Sequence, residues 1–199
     1  MNKDNFLVPA IISAMFCFLY SCDQKTSRDK VSPDTTGTEI GDTVAMKNSL
    51  VKEGAYLVSL VQCAACHTPM IMTAKGPALD TTRLFAGGHP TLLSDVKGLP
   101  KGWITTDDEH NAFYGSWGTS FAANLTPDDT GIGNWSEAQF KKALVGGKFM
   151  GIDEERNILP PMRKFTNMSD HDVKAIFAYL KSLKPVHNSV PAHIPSGKY

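Results

Sequence analysis

The chain has 199 residues, which is enough for one domain with a single hydrophobic core and short appendages. Its 20 Lys and Arg residues balance its 20 Asp and Glu residues. The sequence therefore carries no net field of the kind that favours nucleic acid or an acidic membrane surface, and any partner must be recognised by local patches.

The first 22 residues have the pattern of an export signal. Lys3 precedes an apolar run from Phe6 to Tyr20, which is shorter than the roughly 20 residues needed to cross a bilayer. The run ends in Leu19-Tyr20-Ser21-Cys22, which resembles the lipobox of bacterial lipoproteins. That resemblance implies removal of residues 1–21 and lipidation of Cys22, and the alternative is an ordinary signal peptide in which Cys22 is incidental.

A flexible tether followed by a helix is predicted next. Residues 23–47 contain too few apolar side chains to offset the entropy lost on ordering. Asn48 or Ser49 can then cap a helix that ends at Cys63. Its apolar stripe has helical spacing and consists of Leu50, Val51, Leu57, Val58 and Val61.

Two further helices are predicted from local start and stop signals. The start signals are Ser136 with Gln139 and Ser169 with Asp172, and the stop signals are Gly146-Gly147 and Pro185. A serine with a polar or acidic residue three positions on is typical of a helix N-terminus. Residues 187–199 are predicted to form a C-terminal tail.

The stretch from Thr68 to Asn124 is rich in Gly and Pro and has no sustained periodicity. Its strand-like alternation is too weak to predict a sheet, so we expect short helices and ordered loops. A loop of this length is unusual in a compact domain. A large buried cofactor would organise it.

The segment Cys63-Ala64-Ala65-Cys66-His67 is the C-x-x-C-H signature of c-type haem attachment. Two thiols three positions apart on one turn can each reach a haem vinyl group, and the next imidazole then projects toward the iron. The sequence therefore predicts one covalent haem c bonded to Cys63 and Cys66, with His67 as an axial ligand.

Three other interpretations of the two cysteines remain open: a thiol–disulfide motif, half of a zinc site, or two incidental residues. A redox C-x-x-C is expected near a βαβ pattern, which is absent from the sequence. A tetrahedral zinc site usually needs a second ligand pair, and the mature chain has no second Cys pair. Export permits a disulfide as readily as haem attachment.

Met162 is the predicted second axial ligand. It follows Leu159-Pro160-Pro161, where two prolines suppress helix and favour an extended backbone. The rivals are Met70, Met72, Met150, Met168, His89, His110, His171, His187 and His193. A His–Met pair makes the haem an electron carrier because the thioether blocks the sixth position, whereas an open position would favour a sensor or a peroxidase.

From Gly54 to Leu183 the chain resembles class I cytochromes c, especially the cytochrome domains that accompany bacterial periplasmic dehydrogenases. The matching pieces are Gly54-Ala55-Tyr56-Leu57-Val58, the C-A-A-C-H-T-P motif, Gly76-Pro77, Phe85-Ala86-Gly87-Gly88, Asn124-Leu125-Thr126-Pro127-Asp128, Thr130-Gly131-Ile132-Gly133-Asn134-Trp135 and Leu159-Pro160-Pro161-Met162.

The resemblance carries several implications for particular residues. It implies a close helix crossing at Gly54 against Phe177 or Tyr179. It implies that the carbonyl of Pro77 accepts the Nδ1 hydrogen of His67. It places Asn124 and Trp135 around the haem edge and propionates. The stretch 91–120 is longer than in compact relatives. Its Asp107-Asp108-Glu109 run is interpreted as a solvated loop, and the alternatives are a cover for a haem edge or a contact for a partner.

We therefore expect an all-α cytochrome c fold over residues 48–186, with helices and long ordered loops around the haem. The expected function is single-electron transfer on the periplasmic side of a bacterial membrane, with a dehydrogenase or an oxidase as partner. The alternative is an electron-accepting subunit of a dehydrogenase complex. No G-x-G-x-x-G strand–turn–helix is present, so substrate chemistry would belong to another polypeptide.

Overall fold

The computed structural model describes residues 38–88, 100 and 102–197, with side chains from residue 43 onward. The signal segment with Cys22, residues 23–37 of the predicted tether, and residues 89–99 of the long loop lie outside the described residues. None of the helices in the described ranges is both long enough and apolar enough to span a bilayer.

Four α-helices occur in the described ranges. They are α1 (Thr38–Leu60), α2 (Ala64–His67), α3 (Glu137–Leu144) and α4 (Asp170–Ser182). The predicted start of α1 at Asn48 or Ser49 is wrong, because the helix begins ten residues earlier, inside the predicted tether. Once the packed turns of a helix have formed, each added turn needs only propagation and no new nucleus, so exposed residues can extend it.

The predicted boundaries of the last two helices are confirmed. The Ser136 hydroxyl accepts the backbone N–H of Gln139 at the start of α3. At the start of α4, Ser169 and Asp172 form a reciprocal capping box. Phe140 and Leu144 on α3 and Val173, Ile176 and Leu180 on α4 are buried in one core.

Helices α1 and α4 cross in direct backbone contact at Gly54. A Cβ on Gly54 would lie 1.9 Å from the Ala175 carbonyl oxygen and 2.8 Å from the Tyr179 Cβ. The close crossing predicted there is confirmed, with Tyr179 as the aromatic residue. The core that this crossing organises comprises Val58, Phe85, Ile132, Phe140, Leu144, Val173, Ile176 and Leu180.

The all-α prediction is wrong, because the described residues also form two antiparallel sheets. One is a hairpin of β1 (Met70–Thr73) and β2 (Gly76–Leu79). The other has the order β3 (Thr105–Thr106), β4 (Ala112–Gly115), β5 (Gly118–Phe121) and β6 (Ile194–Pro195). Strands of two to four residues are too short for alternation to stand out in the sequence.

The second sheet and the C-terminal tail hold the long loop together. Strand β5 lies between β4 and β6, with Ser120 opposite Phe113 and Thr119 opposite Ile194. The Trp117 carbonyl accepts a hydrogen bond from His193 Nε2 at 2.8 Å. Part of the predicted tail is thus a strand that packs on the body of the domain.

Candidate functional site

The two cysteines and the histidine of the motif lie on a single short helical turn. Cys63 is the N-cap residue of α2, and the His67 N–H donates to the Cys63 carbonyl at 3.0 Å. Both cysteines are free thiols and half-buried. His67 is buried, so the turn presents two thiols at its rim and an imidazole inside.

Burial keeps all three side chains uncharged at neutral pH. Desolvation raises the pKa of the Cys63 thiol to about 11, and it also raises the pKa of Cys66. Desolvation lowers the pKa of His67 below its ordinary value. Thiol–disulfide enzymes instead depend on a thiol pKa lowered toward neutrality, so this environment disfavours the redox-motif interpretation.

His67 has one ring nitrogen engaged and one left for a ligand. Nδ1 lies 2.7 Å from the carbonyl oxygen of Ala123. A carbonyl can only accept, so Nδ1 carries the hydrogen and Nε2 keeps its lone pair. A neutral imidazole fixed in this tautomer is the form that binds a metal through Nε2.

The hydrogen-bond partner of His67 differs from the one that the resemblance implied. Pro77 lies in the exposed hairpin strand β2, opposite Met72, and the acceptor is Ala123. The implied role of Pro77 is therefore corrected. The physical reason is that the hairpin turns its residues away toward solvent, while the segment after β5 runs beside the histidine.

Gly87 fixes the position of the Ala123 carbonyl. The Gly87 N–H donates to the His67 carbonyl at 2.8 Å. A Cβ on Gly87 would lie 2.6 Å from the Ala122 oxygen and 2.7 Å from the Ala123 oxygen, and its φ is +77°. Only glycine allows this approach, which brings the segment at Gly87 and the segment at Ala123 together around His67.

Asn188 of the tail braces the segment at Gly87 and links it to Thr130. Asn188 Nδ2 donates to the carbonyls of Ala86 at 2.7 Å and Gly88 at 2.9 Å. Its backbone N–H donates to Thr130 Oγ1 at 2.9 Å. The sequence reasoning missed Gly87, Ala123 and Asn188. The Gly87-Gly88 pair was the visible signal, since adjacent glycines often mark a close backbone approach.

Asn124 and Trp135 have structural partners within the chain. Asn124 Nδ2 donates to the Val186 carbonyl at 2.9 Å, and Asn124 Oδ1 accepts from the N–H and hydroxyl of Thr126. Trp135 is half-buried against the core. The amide of Asn124 is thus committed to the loop and the tail, so a contact from this amide to a prosthetic group is not needed to explain it.

Asn111 is a better candidate for contact with a polar group of a cofactor. It is fully buried, and neither atom of its side-chain amide has a partner in the part of the chain that the structure describes. The backbone carbonyl of Asn111 accepts the N–H of Ala122. Ala122 is adjacent to Ala123, whose carbonyl accepts the hydrogen bond from His67. A buried amide without a partner costs about 1–3 kcal/mol, and a carboxylate of a prosthetic group would satisfy its donor.

Met162 lies in an exposed segment that precedes α4. Residues 160–164 are all exposed, and Met162 itself is 39% exposed. Among the rival methionines, Met72 is 79% and Met150 45% exposed, while Met168 packs against the core. Ligation of the iron by Met162 stays a prediction.

The rival histidines in the described ranges are exposed or engaged by other groups. His171 pairs with Glu53 at 2.8 Å, and His187 lies 3.4 Å from Asp128. His193 donates to the Trp117 carbonyl, His110 is exposed, and His89 lies outside the described residues. Across the described part of the chain, no cluster of three or more His, Cys, Asp or Glu could hold a metal ion.

Two of the lysines that precede Met162 in the sequence are paired with carboxylates. Lys141 pairs with Asp170 at 2.6 Å, and Lys142 pairs with Asp153. The Lys164 stem lies against Gly147. Exposed charges that are already paired contribute little, so Lys141 and Lys142 offer little free positive charge for docking an acidic partner.

Comparison with known proteins supports a cytochrome. No family model matches the sequence. The chain is 40% identical over 151 residues to a nicotinate dehydrogenase subunit of Pseudomonas putida, covering 73% of this chain and 10% of that protein. It is 29% identical over 155 residues to the cytochrome c subunit of the alcohol dehydrogenase (quinone) of Gluconacetobacter polyoxogenes. The match covers 75% of this chain and 25% of that subunit. It is 31% identical over 133 residues to the gluconate 2-dehydrogenase cytochrome c subunit of Pantoea cypripedii. The match covers 66% of this chain and 23% of that subunit.

These relatives are dehydrogenase subunits, and two of them are named as cytochrome c subunits. The chain spans between a tenth and a quarter of their length. The similarity therefore supports an electron-transfer cytochrome.

Proposed function

We propose that the chain is a monohaem c-type cytochrome that transfers single electrons. In this proposal Cys63 and Cys66 bond one haem, and His67 and Met162 are its axial ligands. The observation that carries the proposal is the His67 site: a buried neutral imidazole whose Nδ1 is committed to Ala123 O, beside two free thiols on the same turn.

The chain's own residues have separate tasks at such a site. A bound haem supplies an iron that takes up and releases one electron. The Ala123 carbonyl orients the His67 ring and raises its basicity by accepting the Nδ1 hydrogen. The two thiols, uncharged and half-buried, tie the group to α2. The apolar core around Val58, Phe85 and Leu144 would exclude water from one side of the bound group.

The proposal extends to organisation and location. Residues 1–22 would be a lipoprotein-type signal ending at the lipidated Cys22, followed by a tether, a cytochrome domain to residue 186 and a tail. The protein would then be anchored on the periplasmic side of a bacterial membrane. A dehydrogenase is the favoured partner because the relatives are dehydrogenase subunits, and an oxidase would accept the electron onward.

Haem attachment is tested by expressing the full chain in a bacterium with active cytochrome c maturation. Intact mass should exceed that of the polypeptide by one haem, and the visible spectrum should be that of a c-type cytochrome. Cys63→Ala and Cys66→Ala should each lower the yield of covalent haem, and His67→Ala should abolish the wild-type spectrum. A colourless protein of apo mass would refute the proposal.

Met162 is tested against a methionine of similar exposure. Ferric wild-type protein should have the weak red absorption band that arises from sulfur–iron ligation, and Met162→Leu should lose it. Met150→Leu is the matched control, because Met150 is 45% exposed and Met162 39%. Loss of the band in Met150→Leu with retention in Met162→Leu would assign the ligand to Met150.

The exposure of Met162 favours one alternative, a sensor or peroxidase with an open sixth position. Rapid binding of carbon monoxide by the ferrous wild-type protein, together with no red band in the ferric form, would support that alternative. Slow or absent binding, accelerated by Met162→Leu, would support the electron carrier.

A further inference from the structure

Within the described residues, three hydrogen bonds tie the segment that carries Met162 to other parts of the fold. Before it, the Ile158 N–H donates to the Gly147 carbonyl at 2.9 Å, and after it the Phe165 N–H donates to the Leu144 carbonyl at 3.0 Å. Between them, the Pro160 carbonyl accepts from Ser120 Oγ at 2.8 Å. Pro160 and Pro161 have no N–H to donate, so the backbone at the two prolines can be tied only through its carbonyls.

The Ser120 contact comes from a rigid part of the molecule. Ser120 is 9% exposed and lies on β5, which is paired on one side with β4 and on the other with β6. The first two ties come from the end of α3 and the loop after it, whereas this one comes from strand β5 of the second sheet. It therefore fixes the segment with respect to the sheet.

Trp117 directs the Ser120 hydroxyl toward Pro160. Trp117 Nε1 donates to Ser120 Oγ at 3.1 Å, so the hydroxyl accepts from the indole and keeps its own hydrogen for a carbonyl. The Pro160 oxygen at 2.8 Å is much closer than the Phe113 oxygen at 3.5 Å. The six-membered ring of the indole lies against Gly115, where a Cβ would be 2.3 Å from it.

We propose that Ser120 and Trp117 are positioning residues that hold the Met162 segment against the haem iron and so keep the sixth position closed. This inference rests on the proposed function, since it presupposes Met162 as a ligand. It also gives the hairpin of β4 and β5 a role. This hairpin carries the Trp117–Ser120–Pro160 chain of hydrogen bonds to the methionine side of the site.

An external ligand that competes with Met162 measures this closure directly. Imidazole can bind the ferric iron only after the methionine has left it. The apparent affinity for imidazole therefore rises in proportion to the fraction of molecules in which the methionine is detached. Removing one neutral hydrogen bond changes such an equilibrium by about five- to tenfold. A residue that merely stabilises the fold would change the unfolding midpoint and leave imidazole affinity unaltered.

The test is an imidazole titration of the ferric holoprotein. Binding is monitored through the loss of the red sulfur–iron absorption band. Ser120→Ala should bind imidazole about five- to tenfold more tightly than wild type. Trp117→Phe keeps an aromatic ring but loses the N–H, so it should shift the affinity in the same direction by a smaller factor. Ser59→Ala is the matched control, because Ser59 Oγ donates to the Tyr56 carbonyl at 2.7 Å on the exposed face of α1.

The outcomes separate this inference from the proposed function. If wild type has no red band, His–Met ligation is refuted before any variant is measured. If wild type has the band and Ser120→Ala binds imidazole no more tightly than Ser59→Ala, the positioning role is overturned while the electron-transfer function stands. If Ser120→Ala yields no holoprotein, Trp117→Phe decides: unchanged affinity overturns the role, and tighter binding supports it.

Discussion

Replacing Gly87 by alanine tests whether the Ala123 carbonyl controls the electronic properties of His67. The Gly87 N–H is bonded to the His67 carbonyl, so Gly87 and His67 move together, and the new methyl group must push the Ala122–Ala123 segment away. The contact of 2.7 Å to the Ala123 oxygen has to open to about 3.4 Å, where van der Waals contact becomes ordinary.

That displacement would lengthen the His67–Ala123 hydrogen bond from 2.7 Å to about 3.4 Å, beyond the useful range for a donor and a carbonyl. A less basic imidazole donates less to the iron and stabilises the ferric state less, so the reduction potential should rise. A bond worth about 1 kcal/mol corresponds to about 40 mV for a one-electron couple. Strain at positive φ and the steric contact should together lower the free energy of unfolding by about 2–4 kcal/mol.

The assay is a spectroelectrochemical titration of the holoprotein together with denaturant unfolding. Gly76→Ala is the matched control, because Gly76 also has a positive φ, +106°, yet a Cβ there meets nothing within 4 Å. It should lose about 1 kcal/mol of stability and keep the wild-type potential. Equal potentials in Gly87→Ala and Gly76→Ala would refute a role for the Ala123 carbonyl in tuning His67.

Two further predictions concern the tail and α4. Asn188→Ala removes donors to the Ala86 and Gly88 carbonyls and should lower the free energy of unfolding by about 1–3 kcal/mol in denaturant titrations. Asn134→Ala is the control, because it loses one exposed contact to Asp129, and it should change the free energy of unfolding by less than about 0.5 kcal/mol. Equal losses of unfolding free energy in the two variants would argue against bracing by the tail. Hydrogen bonds from Ser169 lower the pKa of Asp172, so its contribution to stability is present at neutral pH and is lost as the pH falls through that lowered pKa. The acid loss of stability measured below about pH 4 should therefore be shallower in Asp172→Asn than in wild type, and identical slopes would exclude this carboxylate as a source.

The parts of the molecule that could be predicted have local causes. Ser136 and Ser169 indicate the starts of α3 and α4 because a capping side chain acts within three residues. The C-x-x-C-H motif is equally local, since five adjacent residues contain its whole chemistry. Gly54 was identified through the resemblance, and its backbone contact with Ala175 gives the physical reason.

The parts that were wrong or missed depend on distant pairs. The His67 acceptor is a backbone carbonyl 56 positions away, and a carbonyl has no residue type by which it could be recognised. The strands from Met70 to Phe121 are two to four residues long and are stabilised by their partners more than by their own composition. The all-α prediction failed because it assigned to a cofactor the organisation that short hairpins provide.

One short segment connects the two halves of the candidate site. Ser120 contacts the Met162 segment through Pro160, and Ala123, three residues later, contacts His67. Displacing Ala123 by Gly87→Ala should therefore disturb Ser120 as well, and the effects of Gly87→Ala and Ser120→Ala on imidazole affinity should fall short of additivity by more than about 0.5 kcal/mol. If the two effects add within that limit in the double variant, the segment transmits nothing between the two sides. If they do not add, residues 120–123 act as one support for both proposed ligands, and a change on the histidine side alters how firmly the methionine side is held.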